Sequence, residues 1–332
     1  MKLRTLGSTD LNVSPVGLGL AALGRPGYIN LGHGQDLGGS TSPAQMESHA
    51  HMMLDAAWSM GIRYFDAARS YGQAEAFLAS WLSARQIPVD QVVVGSKWGY
   101  TYTANWQIQT PVHEVKEHTL ANLQKQWGES RVILGDYLKL YQVHSATEES
   151  GVLDNQPVLD ELLRLKKQEG IAIGLTVSGP DQEKTLRHAL KIRPGGHLLF
   201  DTAQVTYNLL EQSTGSLLRT AREMGLGIIV KEALANGRLT SRNDDPTFAE
   251  EQERLASLAE ETGSTVDAVA LAALLNEPWI DVVLSGATTP QQLQANMGAV
   301  SVDWSGDLRR QIQGFEEAPE QYWETRSQLA WN

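Results

Sequence analysis

The chain has 332 residues, a formal net charge of −12 and no cysteine. The negative charge argues against nucleic acid and anionic membrane surfaces as partners, because both are bound by basic protein surface. Without cysteine there is no disulfide, thiol nucleophile or thiolate metal site, which fits a reducing cytoplasm. No apolar run approaches the ~20 residues that cross a bilayer, and the first residues lack the apolar stretch of a signal peptide. We therefore expect a cytoplasmic protein whose ligand is a small molecule.

Strand-like and helix-like segments alternate along the chain. A hairpin near Asp10 and Leu11 precedes eight predicted strands, which cover 15–20, three segments ending at 66, 97 and 144, and then 171–177, 203–207, 226–231 and 280–285. Helices are predicted at 43–60, 73–85, 157–169, 211–224, 248–261 and 265–276, with further starts at 111, 180 and 290. Thr110 before Pro111 and Thr289 before Pro290 are typical N-caps.

Eight strand-helix units predict a (β/α)8 TIM barrel whose strands are buried on both faces. The hairpin would precede the barrel. Residues 301–332 would form a tail over the barrel mouth, with a helix near 308–315. No linker or composition change divides the chain, so residues 1–332 are predicted to form a single domain.

Four acid-base side chains follow the second, third and fourth predicted strands: Asp66 and Tyr71, Lys97, and His144. The C-terminal ends of parallel barrel strands open on one face, so these side chains would converge. A tyrosine hydroxyl titrates near ~10, and a neighbouring lysine held by an aspartate favours its phenolate. Each residue alone has an ordinary explanation, such as a turn or a strand end that meets water. Together they indicate a site that gives a proton to a carbonyl oxygen.

Two segments resemble the aldo-keto reductases. Residues 65–75, FDAARSYGQAE, are similar to the motif after that family's second strand. Residues 6–19, LGSTDLNVSPVGLG, are similar to its hairpin and first strand. The resemblance extends along the whole chain, with some likeness to the branch that contains the potassium-channel β subunits.

The resemblance implies a nicotinamide-dependent oxidoreductase that acts on aldehydes, ketones or the corresponding alcohols. Tyr71 would protonate the carbonyl oxygen, and His144 would orient it. Lys97 would lower the pKa of Tyr71, and Asp66 would hold Lys97.

The resemblance also implies a cofactor site at the ends of the later strands. Its predicted residues are Thr176, Gln204, Lys231, Leu234, Gly237, Arg242, Gly286, Thr288, Gln292 and Asn296. Arg242 would contact the pyrophosphate, and the helix start at Pro290 is an anion site. Many relatives carry Arg or Lys at the position of Gln292, where it binds the 2′-phosphate. The family's usual preference implies NADP(H) over NAD(H). Because Gln292 offers no guanidinium to the 2′-phosphate, the preference is expected to be small.

Strand seven departs from the family pattern. Lys231 stands where relatives have an aromatic residue that stacks on the nicotinamide. A cation there would disfavour the positive oxidised ring, unless Glu232 or the pyrophosphate compensates. In the alternative, Lys231 points away and pairs with the neighbours of Glu232. The sequence leaves both open.

Aromatic residues in the loops are predicted to form the substrate walls, with the tail as a lid. They are Tyr28, Trp98, Tyr100, Tyr102 and Trp106, which could equally pack the loops together. No metal site is expected. His49 and His51 are two residues apart on a predicted helix, so they do not share a face.

Two other functions stay open at this stage. A regulatory or sensor subunit would bind NADP(H) with little turnover, although the intact set of four acid-base residues argues against it. A Schiff-base aldolase would use Lys97 as its nucleophile. Asp66 argues against that chemistry, because a neighbouring carboxylate raises the pKa of a lysine and the aldolase needs a low one. The substrate, the reaction direction and assembly into a homo-oligomer also stay open.

Overall fold

Eight parallel strands close into a barrel in chain order, and the last strand pairs with the first. The computed structural model describes residues 1–39 and 41–332. The barrel strands are Val16–Gly19, Tyr64–Asp66, Val93–Trp98, Leu138–Ala146, Ala172–Val177, Thr202–Thr206, Gly227–Lys231 and Val282–Ser285. The predicted (β/α)8 barrel is confirmed, because each strand in this order is followed by helical chain that returns to the next.

The N-terminal hairpin pairs Arg4–Thr5 with Asn12–Val13 and closes one end of the barrel. Its apolar side chains pack against residues inside the barrel, in a cluster formed by Leu6, Val13, Tyr64, Val93, Leu140, Ile229, Val282 and Leu284. Gly7 permits this contact, since a Cβ there would lie 2.3 Å from the backbone nitrogen of Gly227. The hairpin fills the N-terminal end of the barrel and leaves the C-terminal end for chemistry.

The helices around the barrel are Pro43–Ser59, Ala74–Ala84, Leu120–Leu134, Gln156–Arg164, Gln182–Ala189, Gly215–Glu223, Ala249–Glu261, Val266–Leu275 and Pro290–Met297. The first and the last of these begin with proline behind a capping box, made by Ser42 and Thr289. A short helix, His33–Asp36, lies in the loop after the first barrel strand. No helix in residues 1–39 or 41–332 is both long enough and apolar enough to cross a membrane.

The predicted helix start at Thr110 and Pro111 is wrong. Tyr100–Tyr102 and Glu114–Lys116 instead pair as an antiparallel hairpin after the third barrel strand. The Thr-Pro pair lies in the loop between them, where proline suits a turn as well as it suits a helix start. Thr119 caps the helix that follows. This hairpin raises a wall beside the barrel mouth.

The C-terminal tail crosses the C-terminal end of the barrel. The predicted helix near 308–315 is Gly306–Gln311, and an unpredicted one follows at Pro319–Ser327. Asn332 and Tyr28 exchange two backbone hydrogen bonds, of 3.0 and 3.1 Å. Trp331 stacks on His113 with ring centroids 3.8 Å apart. These contacts fix the tail to the loops after strands one and three.

Candidate active site

A cavity of 1410 Å³ opens at the C-terminal end of the barrel. Its wall includes residues from strands or loops of all eight units and from the tail. Pockets for drug-sized ligands measure ~300–1,000 Å³, so this cavity has room for a dinucleotide beside a small substrate. Barrel enzymes carry out their chemistry at this face.

Asp66 and Lys97 form a buried ion pair at the floor of the cavity. The Lys97 side chain is fully buried, and Asp66 is 2% exposed. The Lys97 ammonium also donates to the carbonyl oxygen of Ala67 at 3.0 Å and to the Tyr71 hydroxyl at 3.3 Å. Lys97 itself does not line the cavity, but its partners Asp66 and Tyr71 do.

The second carboxylate oxygen of Asp66 is held by three side chains. It accepts hydrogen bonds from the Gln204 amide at 2.9 Å, the Tyr64 hydroxyl at 3.2 Å and the Gln142 amide at 3.4 Å. Sequence reasoning missed Tyr64 and Gln142. Each lies two residues before a predicted catalytic residue on the same strand, where side chains face the same way, and this period of two could have found them.

Two glycines fix the position of Tyr71. A Cβ on Gly72, whose φ is +60°, would lie 2.4 Å from the carbonyl oxygen of Gly24. A Cβ on Gly24 would lie 2.2 Å from the carbonyl oxygen of Tyr71. The loops after strands one and two therefore pack backbone against backbone and hold the Tyr71 ring at the cavity.

Burial raises the pKa of Tyr71 well above its ordinary value, and the carboxylates of Asp66 and Glu114 raise it further against the effect of Arg25. The expected lowering by Lys97 is not the net result. Burial disfavours the phenolate, and Asp66 offsets the charge of Lys97. Tyr71 is therefore protonated at neutral pH, as a proton donor must be. The Lys97 hydrogen bond stabilises the phenolate once the proton has left.

The His144 ring lies beside Tyr71, with centroids 5.5 Å apart and planes at 86°. Burial lowers the pKa of His144 well below its ordinary value, and the charges of Lys97 and Lys231 lower it further. The ring is therefore neutral at pH 7. Its Nδ1 lies 3.4 Å from the Ser70 hydroxyl, and its Nε2 makes no hydrogen bond within the described residues. Nε2 is therefore free to bind a ligand oxygen.

Nine of the ten predicted cofactor residues line the same cavity, from Gln204 through the loops after strands seven and eight to Asn296. Thr176 does not. It is fully buried, and its hydroxyl accepts the backbone N–H of Ser145 at 2.7 Å. Thr176 thus fixes the backbone next to His144 instead of facing a ligand.

Lys231 lines the cavity, and its ammonium donates to the hydroxyls of Ser178 at 2.9 Å and Thr206 at 2.6 Å. Burial lowers the pKa of Lys231 to about 8, against the attraction of Glu232. Glu232 itself is bound by Arg326 of the tail, whose Nε lies 3.0 Å from the carboxylate. Of the two alternatives that the sequence left open, the structure has the one in which Lys231 faces the cavity, and its pKa is lowered there.

The predicted substrate residues divide into two groups. Tyr28 and Tyr100 line the cavity. Trp98 does not, because it is fully buried against the His118 ring, with centroids 5.4 Å apart. Tyr102 and Trp106 also lie outside the cavity wall. They hold their own loop through a 3.1 Å hydrogen bond from the backbone N–H of Trp106 to the Tyr102 hydroxyl.

Further wall residues come from the loops and the tail, and the sequence did not single them out as site residues. They are Arg25, His113, Glu114, Arg326 and Trp331. Their positions depend on the path of the loops and the tail.

Within residues 1–39 and 41–332, no three His, Cys, Asp or Glu side chains are grouped so that they could hold a metal ion. His49 and His51 point in different directions. The His49 ring lies 2.6 Å from the carbonyl oxygen of Thr288, and the His51 ring lies 2.8 Å from the Ser80 hydroxyl.

The model of the Aldo/keto reductase family matches residues 28–317. The chain belongs to this family. It is 24% identical to L-galactose dehydrogenase of Arabidopsis thaliana over 91% of this chain and 88% of that protein. It is also 24% identical to NADH-specific methylglyoxal reductase of Escherichia coli (strain K12), over 92% of this chain and 95% of that protein.

The fold of this aldo-keto reductase is similar to that of a solved relative, aldo-keto reductase AKR11C1 from Bacillus halodurans in its holo form. The TM-score is 0.73 at 22% identity, over 96% of this chain and 97% of that one. Family membership makes the protein an NAD(P)H-dependent oxidoreductase that transfers hydride between a nicotinamide cofactor and a carbonyl or alcohol.

Proposed function

We propose that this aldo-keto reductase reduces an aldehyde or ketone with Tyr71 as the proton donor. The observation that carries the proposal is the Tyr71 hydroxyl, which lies 3.3 Å from the buried Lys97 ammonium and lines the cavity. His144, neutral and adjacent, donates from Nε2 to the substrate oxygen and orients it. As Tyr71 gives up its proton, Lys97 stabilises the phenolate, while Asp66 and its three hydrogen-bond donors hold Lys97 in place.

The residues along the cavity suit a nicotinamide dinucleotide. Phosphates would be met by Arg242, the Thr288 hydroxyl and the N-terminus of the helix Pro290–Met297. The bound cofactor supplies the hydride, and the protein supplies position and the proton. The resemblance implies NADP(H), but Asp36 accepts hydrogen bonds from Arg242, Thr288 and Gln292, and this carboxylate favours NAD(H) instead.

Steady-state turnover tests the proposed function against a sensor role. We expect sustained oxidation of the reduced cofactor when 4-nitrobenzaldehyde is added with NADH or NADPH, and the absorbance of the reduced nicotinamide would measure it. Tight binding of either cofactor without turnover of any aldehyde tried would favour the regulatory subunit and contradict an enzymatic role for Tyr71.

The aldolase alternative loses support from the position of Lys97. A Schiff-base lysine needs an unprotonated amine at the cavity surface. Lys97 is instead fully buried and surrounded by oxygens of Asp66, Ala67 and Tyr71. Borohydride treatment with a carbonyl substrate should therefore leave Lys97 unmodified, as mass spectrometry of its peptide would show.

Binding of the oxidised cofactor should depend on pH through Lys231. The Lys231 ammonium is charged below its pKa of about 8 and neutral above it. The oxidised nicotinamide ring is positive and the reduced ring is not, so only the oxidised cofactor is repelled by the charged lysine. We expect the ratio of the affinity for oxidised cofactor to the affinity for reduced cofactor to rise roughly tenfold between pH 7 and pH 9. Dissociation constants from tryptophan fluorescence would measure this ratio.

The matched control for that pH dependence is Lys231→Met, which should give the same ratio at both pH values. A ratio in the wild type that does not change with pH would place the nicotinamide ring away from Lys231.

We further propose that residues 1–332 form one domain and that the protein is cytoplasmic. The cysteine-free sequence supports the second point, because such chains need no oxidising compartment to fold.

A further inference from the structure

A carboxylate from the first loop lies at the end of the cavity where the cofactor phosphates are predicted to bind. Asp36 ends the short helix His33–Asp36 and accepts hydrogen bonds from the loops after strands seven and eight. Arg242 binds both of its oxygens, at 2.6 and 2.8 Å. The Thr288 hydroxyl and the Gln292 amide each donate at 2.8 Å. The Asp36 side chain is only 7% exposed.

The surrounding chain is shaped to hold this carboxylate. Gly32, with φ +74°, leaves room for the guanidinium of Arg242, because a Cβ there would lie 2.9 Å from its Nη1. The backbone N–H of Leu31 donates to the carbonyl oxygen of Asn236 at 3.1 Å and anchors the loop. Burial alone would raise the pKa of Asp36, but the hydrogen bonds from Arg242, Gln292 and Thr288 outweigh it and lower the pKa. Asp36 is therefore ionised at neutral pH.

The amide of Gln292 is oriented by its role in the helix cap. Its oxygen accepts the backbone N–H groups of Thr288 at 2.9 Å and Thr289 at 3.2 Å. Its nitrogen is thereby directed at Asp36. Three side chains that were predicted to bind the cofactor, Arg242, Thr288 and Gln292, are thus already bound to one carboxylate.

We propose that Asp36 selects the cofactor and that this reductase binds NADH more tightly than NADPH. The inference rests on the proposed function, since it requires that the cavity bind a nicotinamide dinucleotide. A 2′-phosphate carries a charge near −2 and would have to lie beside Asp36 or displace it from its donors. A ribose 2′-hydroxyl carries no charge and can donate a hydrogen bond to the carboxylate, as acidic residues accept from this hydroxyl in other dinucleotide sites.

Calorimetric dissociation constants for NADH and NADPH, at fixed ionic strength, test the proposal in the wild type and in Asp36→Asn. We expect the wild type to bind NADH at least tenfold more tightly than NADPH. In Asp36→Asn, the ratio should move at least tenfold toward NADPH. Adenosine 2′,5′-bisphosphate should gain affinity in the same variant, while ADP, which lacks the 2′-phosphate, should not.

The matched control is Asp90→Asn, which removes an equal charge from the exposed turn Val89–Gln91 before the third strand, at the other end of the barrel. Its NADH to NADPH ratio should equal that of the wild type. Tighter binding of NADPH by the wild type, or an unchanged ratio in Asp36→Asn, would overturn the role of Asp36 while leaving a nicotinamide enzyme in place. If Asp36→Asn does not fold, tighter binding of NADPH by the wild type would still overturn the proposal. If neither dinucleotide binds the wild type, the proposed function itself fails.

Discussion

Replacing Tyr71 with Phe should lower kcat for carbonyl reduction by ~10²–10⁴-fold, the usual contribution of a positioned general acid. The variant loses only the hydroxyl that lies 3.3 Å from Lys97, and the ring that packs beside His144 stays. Cofactor affinity should therefore be nearly unchanged. Steady-state rates and cofactor titrations on the same preparations would measure both quantities.

Tyr207→Phe is the matched control for the loss of a tyrosine hydroxyl. Tyr207 packs edge-on against Trp279 with centroids 5.0 Å apart, outside the cavity wall. Removing the Tyr207 hydroxyl should leave kcat close to that of the wild type. Near-normal activity of Tyr71→Phe would show that another group, with His144 the first candidate, protonates the substrate.

Replacing Lys97 with Met should abolish most activity and also destabilise the fold. Asp66, 2% exposed, would be left as a buried carboxylate without its cation. Removing one partner of a buried ion pair costs roughly 3–5 kcal/mol of unfolding free energy. Urea unfolding would measure that loss. The activity is lost because the Tyr71 phenolate would have no ammonium beside it.

Two further variants separate the catalytic and structural effects of Lys97. Lys139→Met, in the fourth barrel strand but outside the cavity wall, should retain both stability and activity. Lys97→Met combined with Asp66→Asn removes the unpaired charge, so stability should partly return while activity stays low. Recovery of activity in the double variant would mean that the pair serves the fold alone.

The sequence predicted the barrel because strand and helix patterns depend on local side-chain periodicity. The helix at Pro290 is an example, since its proline and the Thr289 cap are sufficient to place its start. The same local signals misplaced the helix at Pro111. A Thr-Pro pair suits a hairpin loop equally well, and the pairing of Tyr100–Tyr102 with Glu114–Lys116 is a contact that local sequence does not encode.

The sequence by itself determined which four residues meet at the barrel mouth. Parallel strands end on one face, so the order of Asp66, Lys97 and His144 on successive strands fixes their convergence. Only the tertiary structure decided how the site is tuned. The pKa of Tyr71 rises because burial and nearby carboxylates outweigh the effect of Arg25. Asp36 reaches the donors after strands seven and eight because its loop folds across the barrel, more than 200 residues from them in sequence. Burial and such long-range contacts depend on how all eight units pack together, which no local pattern of residues records.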